Sequence, residues 1–348
     1  MTHAELQKFI AFLMKRGWTV FAPEKRPGEV VYAEVQDAAK VKLISEPPLH
    51  SFKRFLVPPE ETLFEYEKDK LNEVRDAGIK IPKQVIFGIN PVDLKAIVML
   101  NQIFERDPWY QERMRRTLII GQSLIPADVE HNIFQIKYEE DILEHLQFDI
   151  FLEVQPLTPA RNASASVAGG PTLSPKGRGA EYFVYTGSEE GQSSLEDFGY
   201  EDYEHIAFAG PIREEGFDPM MVKYRDALRK TYKKEIWEND IGARCIECGK
   251  CTLICPTCFC FDMKDQPDLV GDGGVRKRAW SACFYNDFSE VAGGHKFLKT
   301  TAERIHFWYY HKFVRIPDQI QIMGCVGCGR CAKVCPVNIN IFKVLAAL

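Results

Sequence analysis

Two runs of cysteine are the residues of this chain whose types and spacing most directly imply chemistry. Cys245-Ile-Glu-Cys248-Gly-Lys-Cys251-Thr-Leu-Ile-Cys255-Pro256 recurs near the end as Cys325-Val-Gly-Cys328-Gly-Arg-Cys331-Ala-Lys-Val-Cys335-Pro336. Both read C-x2-C-x2-C-x3-C-P, a spacing of thiolates that binds [4Fe–4S] clusters. Three thiolates within seven residues must wrap one corner of a small cluster, and Gly249, Gly327 and Gly329 let the backbone approach it. Proline after the fourth cysteine turns the chain away without leaving an N–H to satisfy. Zinc sites instead tend to show two separated C-x2-C pairs. Structural disulfides suit short secreted chains, and this one has 348 residues. The spacing therefore predicts two [4Fe–4S] clusters.

The same spacing is how bacterial-type ferredoxins hold paired cubes, with the fourth cysteine of each run crossing to the other cluster. On that pattern one cube takes Cys245, Cys248, Cys251 and Cys335, and the other takes Cys325, Cys328, Cys331 and Cys255. Three cysteines are left over: Cys258, Cys260 and Cys283. A lone cysteine is best read as a small buried hydrophobe. Three beside a cluster motif leave open a third metal site, with His295, His306, His311 or an acid as its fourth ligand. No catalytic residue is assigned.

Composition sets the frame. A hydrophobic fraction of 45% and a charged fraction of 27% describe a globular protein long enough for two domains. A net charge of −5 gives no reason to expect nucleic acid or an anionic membrane as partner. No run reaches the roughly 20 apolar residues of a membrane span, and Met1-Thr-His-Ala-Glu-Leu lacks a signal-peptide pattern. The expected location is cytoplasmic. All eleven cysteines lie between Cys245 and Cys335, which separates a cysteine-free first part from a cluster-bearing second part.

The elements that must position these cysteines follow in order. Ala4–Arg16 has helical spacing, with Leu6, Phe9, Ile10 and Leu13 on one face. Thr19–Ala22, Val30–Val35 and Val41–Ser45 read as strands, and Pro58-Pro59 breaks the pattern. Lys83–Gly88 is an apolar strand running into Asn90-Pro91-Val92-Asp93, a helix start with a cap, a first-position proline and an acid in the first turn. That helix is predicted to end near Phe104. Arg116–Gly121 completes a β-α-β unit, and Phe148–Val154 and 181–186 read as further strands. Residues 155–178 are rich in Pro, Gly, Ser and Ala and read as a linker, and Ser188–Tyr203 as a surface segment. A helix from Asp218-Pro219 through Tyr232 leads to Cys245. Between the cysteine runs, 257–324 forms a long insert. Its basic residues (Arg276, Lys277, Arg278, Lys296, Lys299, Arg304, Lys312 and Arg315) read as a solvated helix face, some of them near the clusters, where cations raise the reduction potential.

The segments CIECGKCTLICPTCFCFD, RKRAWSACF, AGGHKF, HKF and CVGCGRCAKVCPVNINI resemble the beta subunit of cytoplasmic sulfhydrogenases and the dicluster subunit of anaerobic sulfite reductase. Phe55–Phe64 and Phe87–Ile97 extend the resemblance into the first half. It implies an electron-transfer subunit. Its partners would be a flavin-containing reductase subunit, linked to NAD(P)H or ferredoxin, and a catalytic partner of [NiFe] hydrogenase or sulfite reductase type. Relatives commonly carry Arg-Pro-Cys-Asp where this chain has Asn90-Pro91-Val92-Asp93, so the first half is read as scaffold and docking surface. There is no G-x-G-x-x-G after a strand and no P-loop, hence no expected nucleotide site. The resulting expectation is an α+β protein. Residues 1–155 form an α/β domain, 156–215 a linker with peripheral strands, and 216–348 a helical two-cluster ferredoxin-like domain carrying the insert. The alternative is an enzyme subunit with a substrate-binding metal site at Cys258, Cys260 and Cys283.

Overall fold

The computed structural model describes residues 1–67, 75–76, 81–124, 140–154, 181–213, 219–232, 235–270 and 272–348. Helix α1 (His3–Lys15) buries Leu6, Phe9, Ile10 and Leu13. It starts with a capping box in which the Thr2 side chain accepts from Glu5 N and the Glu5 carboxylate accepts from Thr2 N. There follow β1 (Thr19–Arg26), β2 (Glu29–Glu34), α2 (Lys53–Leu56), β3 (Glu60–Glu67), β4 (Arg75–Asp76), β5 (Gln84–Ile89), α3 (Pro91–Ile103), α4 (Pro108–Arg115), β6 (Thr117–Gln122), β7 (Ile150–Val154), β8 (Tyr182–Thr186), α5 (Glu189–Phe198) and β9 (Glu204–His205).

Seven of these strands form a mixed sheet in the order β2-β1-β5-β6-β7-β8-β9. Neighbours from β1 through β5 and β6 to β7 are parallel, while β2 and β8 join antiparallel. Every residue of β5 and β6 is buried, as expected of parallel strands covered on both faces. Alternation divides their side chains. Val85, Phe87, Leu118 and Ile120 pack toward α1, and Ile86, Ile89 and Ile119 pack toward α3 with Leu94, Ile97 and Leu100. Helix α3 begins as its sequence indicates, with Asn90 Oδ1 accepting from Asp93 N at 3.0 Å and Pro91 in the first turn.

The second half contains α6 (Pro219–Lys230), α7 (Gly242–Arg244), α8 (Lys250–Leu253), β10 (Phe261–Pro267), β11 (Gly273–Trp280), the short pair β12 (Glu290–Val291) and β13 (His295–Lys296), and α9 (Thr301–Tyr310). Helix α9 runs directly into a π-helical segment, His311–Arg315, and then α10 (Ile316–Ile320). Helices α11 (Arg330–Val334) and α12 (Ile341–Ala346) end the chain.

Four expectations change. Val41–Ser45 forms no strand: Val41 and Ile44 are buried by packing alone. Ser188–Tyr203 holds α5, capped by Ser188 and ended by left-handed Gly199, with Leu195 buried. Helix α6 stops at Lys230, short of Tyr232. The basic residues of the insert are not a helix face, because Arg276, Lys277 and Arg278 lie on β11. That strand sits between β10 and β3 in a second sheet of order β10-β11-β3-β4. Arg278 is buried between Glu61 and Asp107, and Lys277 bonds Glu60 across a sequence gap of 217 residues. The insert therefore shares a sheet with residues 60–67. The linker stretch 155–178 lies outside the described residues.

Candidate metal centre

The two cysteine runs fold alike. Helices α8 and α11 each start after a left-handed glycine, Gly249 at φ 70° and Gly329 at φ 73°. The position two residues earlier is also left-handed in both: Glu247 at φ 55° and Gly327 at φ 70°. A side chain at Gly249 would also collide, since an added Cβ would lie 2.8 Å from the Tyr285 ring, whereas Gly329 has open space. Glu247, held in a conformation unusual for a side-chain-bearing residue, is tied to Arg304 and Thr301. Backbone N–H groups aim at sulfur: Glu247 N donates to Cys245 Sγ at 3.4 Å, and Ile339 N to Cys335 Sγ at 3.3 Å.

The eight cysteines line two adjoining cavities. The first, with about 550 Å³ of empty space, is lined by Cys245, Cys248, Cys251 and Cys335. The second, about 320 Å³, is lined by Cys255, Cys325, Cys328 and Cys331. The fourth cysteine of each run thus borders the cavity of the other run, and Cys331 and Trp308 border both. An all-thiol donor set suits iron–sulfur clusters. Trp308 Nε1 and Tyr309 Oη are buried with no hydrogen-bond partner among the described residues, and both residues line the first cavity. Unsatisfied buried donors facing a space ringed by thiols fit an anionic, sulfur-rich occupant.

Burial pushes the thiols of Cys251 and Cys331 up, and that of Cys325 to about 12. Cys255 behaves oppositely. A hydrogen bond from Cys258 holds it well below the ordinary thiol value, assisted by Lys312 and Thr257 against the effect of burial. Lys312 Nζ lies 3.4 Å from Cys255 Sγ, 2.9 Å from Thr257 Oγ1 and 3.0 Å from Gly324 O. Between Cys328 and Cys331, Arg330 reaches into the first half of the chain. It forms a two-pronged ion pair with Asp93 at 2.6 and 2.7 Å and donates to Pro48 O at 3.0 Å. Lys53 approaches from the other side, donating to Leu253 O and Cys258 O over the Trp280 ring.

Cys258, Cys260 and Cys283 lie together: Cys283 hydrogen-bonds Cys260, and Cys258 hydrogen-bonds Cys255. The three histidines considered as a fourth ligand stand against aromatic rings, His295 on Phe297, His306 among Tyr232 and Trp237, and His311 on Phe307 and Phe259. Among the described residues no three His, Cys, Asp or Glu side chains close on a single metal-ion position. Sequence reasoning missed Asp93, Arg330, Lys53 and Tyr309 as neighbours of the site. Arg330 could have been singled out from its place inside the second run, but nothing local marks Lys53.

Residues 244–339, which hold both cysteine runs, match the 4Fe-4S dicluster domain family. Such a domain implies two [4Fe–4S] clusters. Over 337 residues the chain is homologous, at 28% identity, to Sulfhydrogenase 2 subunit beta of Pyrococcus furiosus, covering 95% of this chain and 92% of that one. A putative pyruvate-flavodoxin oxidoreductase of Synechocystis is 30% identical over 103 residues, only 6% of its own length. No solved structure matches. Among the described residues no helix is long and apolar enough to cross a membrane.

Proposed function

We propose that this chain is a cytoplasmic electron-relay subunit. It passes single electrons between two other chains. One is a flavin-containing, NAD(P)H- or ferredoxin-linked reductase subunit; the other is a catalytic subunit of hydrogenase or sulfite reductase type. The observation that carries the reading is the pair of adjoining cavities, each lined by three cysteines of one run and the fourth of the other, with Cys331 shared between them. The end-to-end homology to a sulfhydrogenase beta subunit supports the complex.

In this reading Cys245, Cys248, Cys251 and Cys335 hold one cube, and Cys325, Cys328, Cys331 and Cys255 hold the other. Each cube, when bound, takes up or gives up one electron at a time. The protein's own part is to hold the thiolates, exclude water and set the charge around them. Trp308 and Tyr309 offer buried donors to the first centre, and their rings fill the space beside both runs. Residues 1–155 act as scaffold and docking surface.

A second reading places a third metal site at Cys258, Cys260 and Cys283, supported by the pairwise contacts of these thiols although the three do not close on one metal position among the described residues. Iron and sulfide per chain on anaerobically purified protein test both. About eight irons support the relay with structural thiols, and about twelve support the third centre, by ligand count. Crossed ligation is tested by Cys335→Ser. That variant is expected to lose the cube of the first run although it lies in the second, and an intact spectrum of that cube refutes the assignment.

A further inference from the structure

The two cavities arise from a repeated sequence, yet their charge environments differ: two buried lysines, Lys312 and Lys53, stand near Cys255 on the side of the second, and of these Lys312 bonds the sulfur. Beside the first cavity, Glu247 is neutralised by Arg304, and Lys250 lies at the rim with its residue exposed to solvent. Beside the second, Arg330 is neutralised by Asp93. Lys312 remains, 2% exposed, with no carboxylate partner among the described residues. An ammonium has three donors. Those of Lys312 go to Thr257 Oγ1, Gly324 O and Cys255 Sγ, and of these acceptors only the sulfur can carry negative charge.

A buried cation without a counter-charge is costly, so the Cys255 side of the cavity must supply one. Lys312 sits in the π-helical segment. Such segments are frequent at functional sites because the extra residue re-aims side chains; here Lys312, Phe313 and Val314 all point inward. Lys53, the other buried lysine nearby, spends its donors on the carbonyls of Leu253 and Cys258 and has no hydrogen bond to a sulfur among the described residues.

We propose that Lys312 is the potential-setting residue of the second centre, its fixed charge making the cube held by Cys255, Cys325, Cys328 and Cys331 the more readily reduced of the two. This rests on the two-cube reading above. Reduction adds one negative charge to a cube, and a fixed cation bonded to one of its ligands favours that form. With both centres loaded, one electron would pass from the reduced first to the oxidised second, with no proton, atom or bond moving with it. The repeat thereby becomes a directional pair.

The test is a redox titration of the anaerobic full-length protein, followed by electron paramagnetic resonance, for wild type, Lys312→Met and Lys312→Arg. Lys312→Met is expected to lower the midpoint of one cube by at least tenfold in its one-electron equilibrium, about 59 mV, and leave the other in place. Lys312→Arg keeps the charge and is expected to stay near wild type. Unmoved midpoints, or equal shifts of both cubes, overturn the proposal. Because Lys312→Met could fail to assemble, the wild type is also labelled with 15N at lysine Nζ and reduced by one electron. The first-reduced cube is expected to show a weak lysine-nitrogen coupling that vanishes in labelled Lys312→Arg. Absence of that coupling in wild type equally overturns the proposal. An iron count far from eight refutes the two-cube reading instead.

Discussion

Asp93→Ala offers the sharpest test of how the first half of the chain supports the cysteine cradle. Asp93 is 0% exposed, Arg330 3%, and the two meet through hydrogen bonds of 2.6 and 2.7 Å. Removing the carboxylate leaves a buried guanidinium with only the Pro48 carbonyl and the Cys328 sulfur as hydrogen-bonded partners. Breaking such a pair costs about 3–5 kcal/mol, chiefly because the surviving charge is stranded. At roughly 2 °C per kcal/mol for a large domain, the melting midpoint is expected to fall by about 6–10 °C. The helix cap is spared, because Asn90 bonds the backbone N–H of residue 93. Arg330 lies between two proposed ligands of the second cube, so that cube's spectrum is expected to broaden or vanish first on warming. The control is Asp93→Leu with Arg330→Met, which removes both charges and is expected to recover most of the loss, since well-packed apolar replacements are often neutral. A single Asp93→Ala variant melting within about 1 °C of wild type, with both cubes intact, refutes the argument.

Cys258→Ala is expected to leave eight irons per chain, since the thiol serves Cys255 as a hydrogen-bond donor; a drop in iron on analysis would instead tie Cys258 to a cluster. Gly249→Ala and Gly329→Ala form a matched pair. Both impose a left-handed conformation on alanine, costing about 1–2 kcal/mol, but only the first also drives a methyl to 2.8 Å from Tyr285. Thermal melts are expected to rank Gly249→Ala clearly below Gly329→Ala, and equal midpoints would show that the Tyr285 contact relaxes freely. Arg278→Ala is expected to destabilise by up to about 3 kcal/mol, since it strips Asp107 of its buried cation, while Glu61 keeps Arg113. Denaturation midpoints check it.

Local signals were readable where the determinant is local. The Thr2–Glu5 box, the Asn90-Pro91 start and the apolar runs of β5 and β6 lie within a few residues of what they specify. The twin cysteine spacing was legible for the same reason, because a cluster grips short stretches of chain. Strand β3 was not foreseen. Its partner β11 lies in the insert, and the charges of Arg276, Lys277 and Arg278 look like a solvated face until Asp265, Glu60 and Glu61 are brought opposite them. Helix α5 was hidden by its acidic surface, with Leu195 and two small residues on the buried side. Lys312 was visible only as one of the eight basic residues from Arg276 to Arg315; its burial comes from the π-helical turn, from Gly324 twelve residues on and from Thr257, 55 residues away.

The scaffold explains why a duplicated motif does not produce duplicated sites. The first cavity is lined entirely by residues between Ile241 and Ile341, and its Cys248 is exposed. The second run is clamped from outside. Val326 joins the core of Ile97 and Leu100, and Arg330 is sunk against Asp93 and Pro48; Lys53 grips the end of the first run, at Leu253 O, and Cys258 O just beyond it. Trp280 adds a bond from the insert to Val57 O. The contacts of Val326, Arg330 and Lys53 remove water from the second run and from the Cys255 end of the first. With water withdrawn, a fixed charge acts through a lower dielectric and has a larger effect. On the proposal above, a single lysine can then separate two centres whose ligands are chemically the same, and the same lysine beside the exposed Cys248 would be screened. On that proposal, the contacts of Asp93, Pro48 and Lys53 from the first half of the chain are what give the pair of clusters an order.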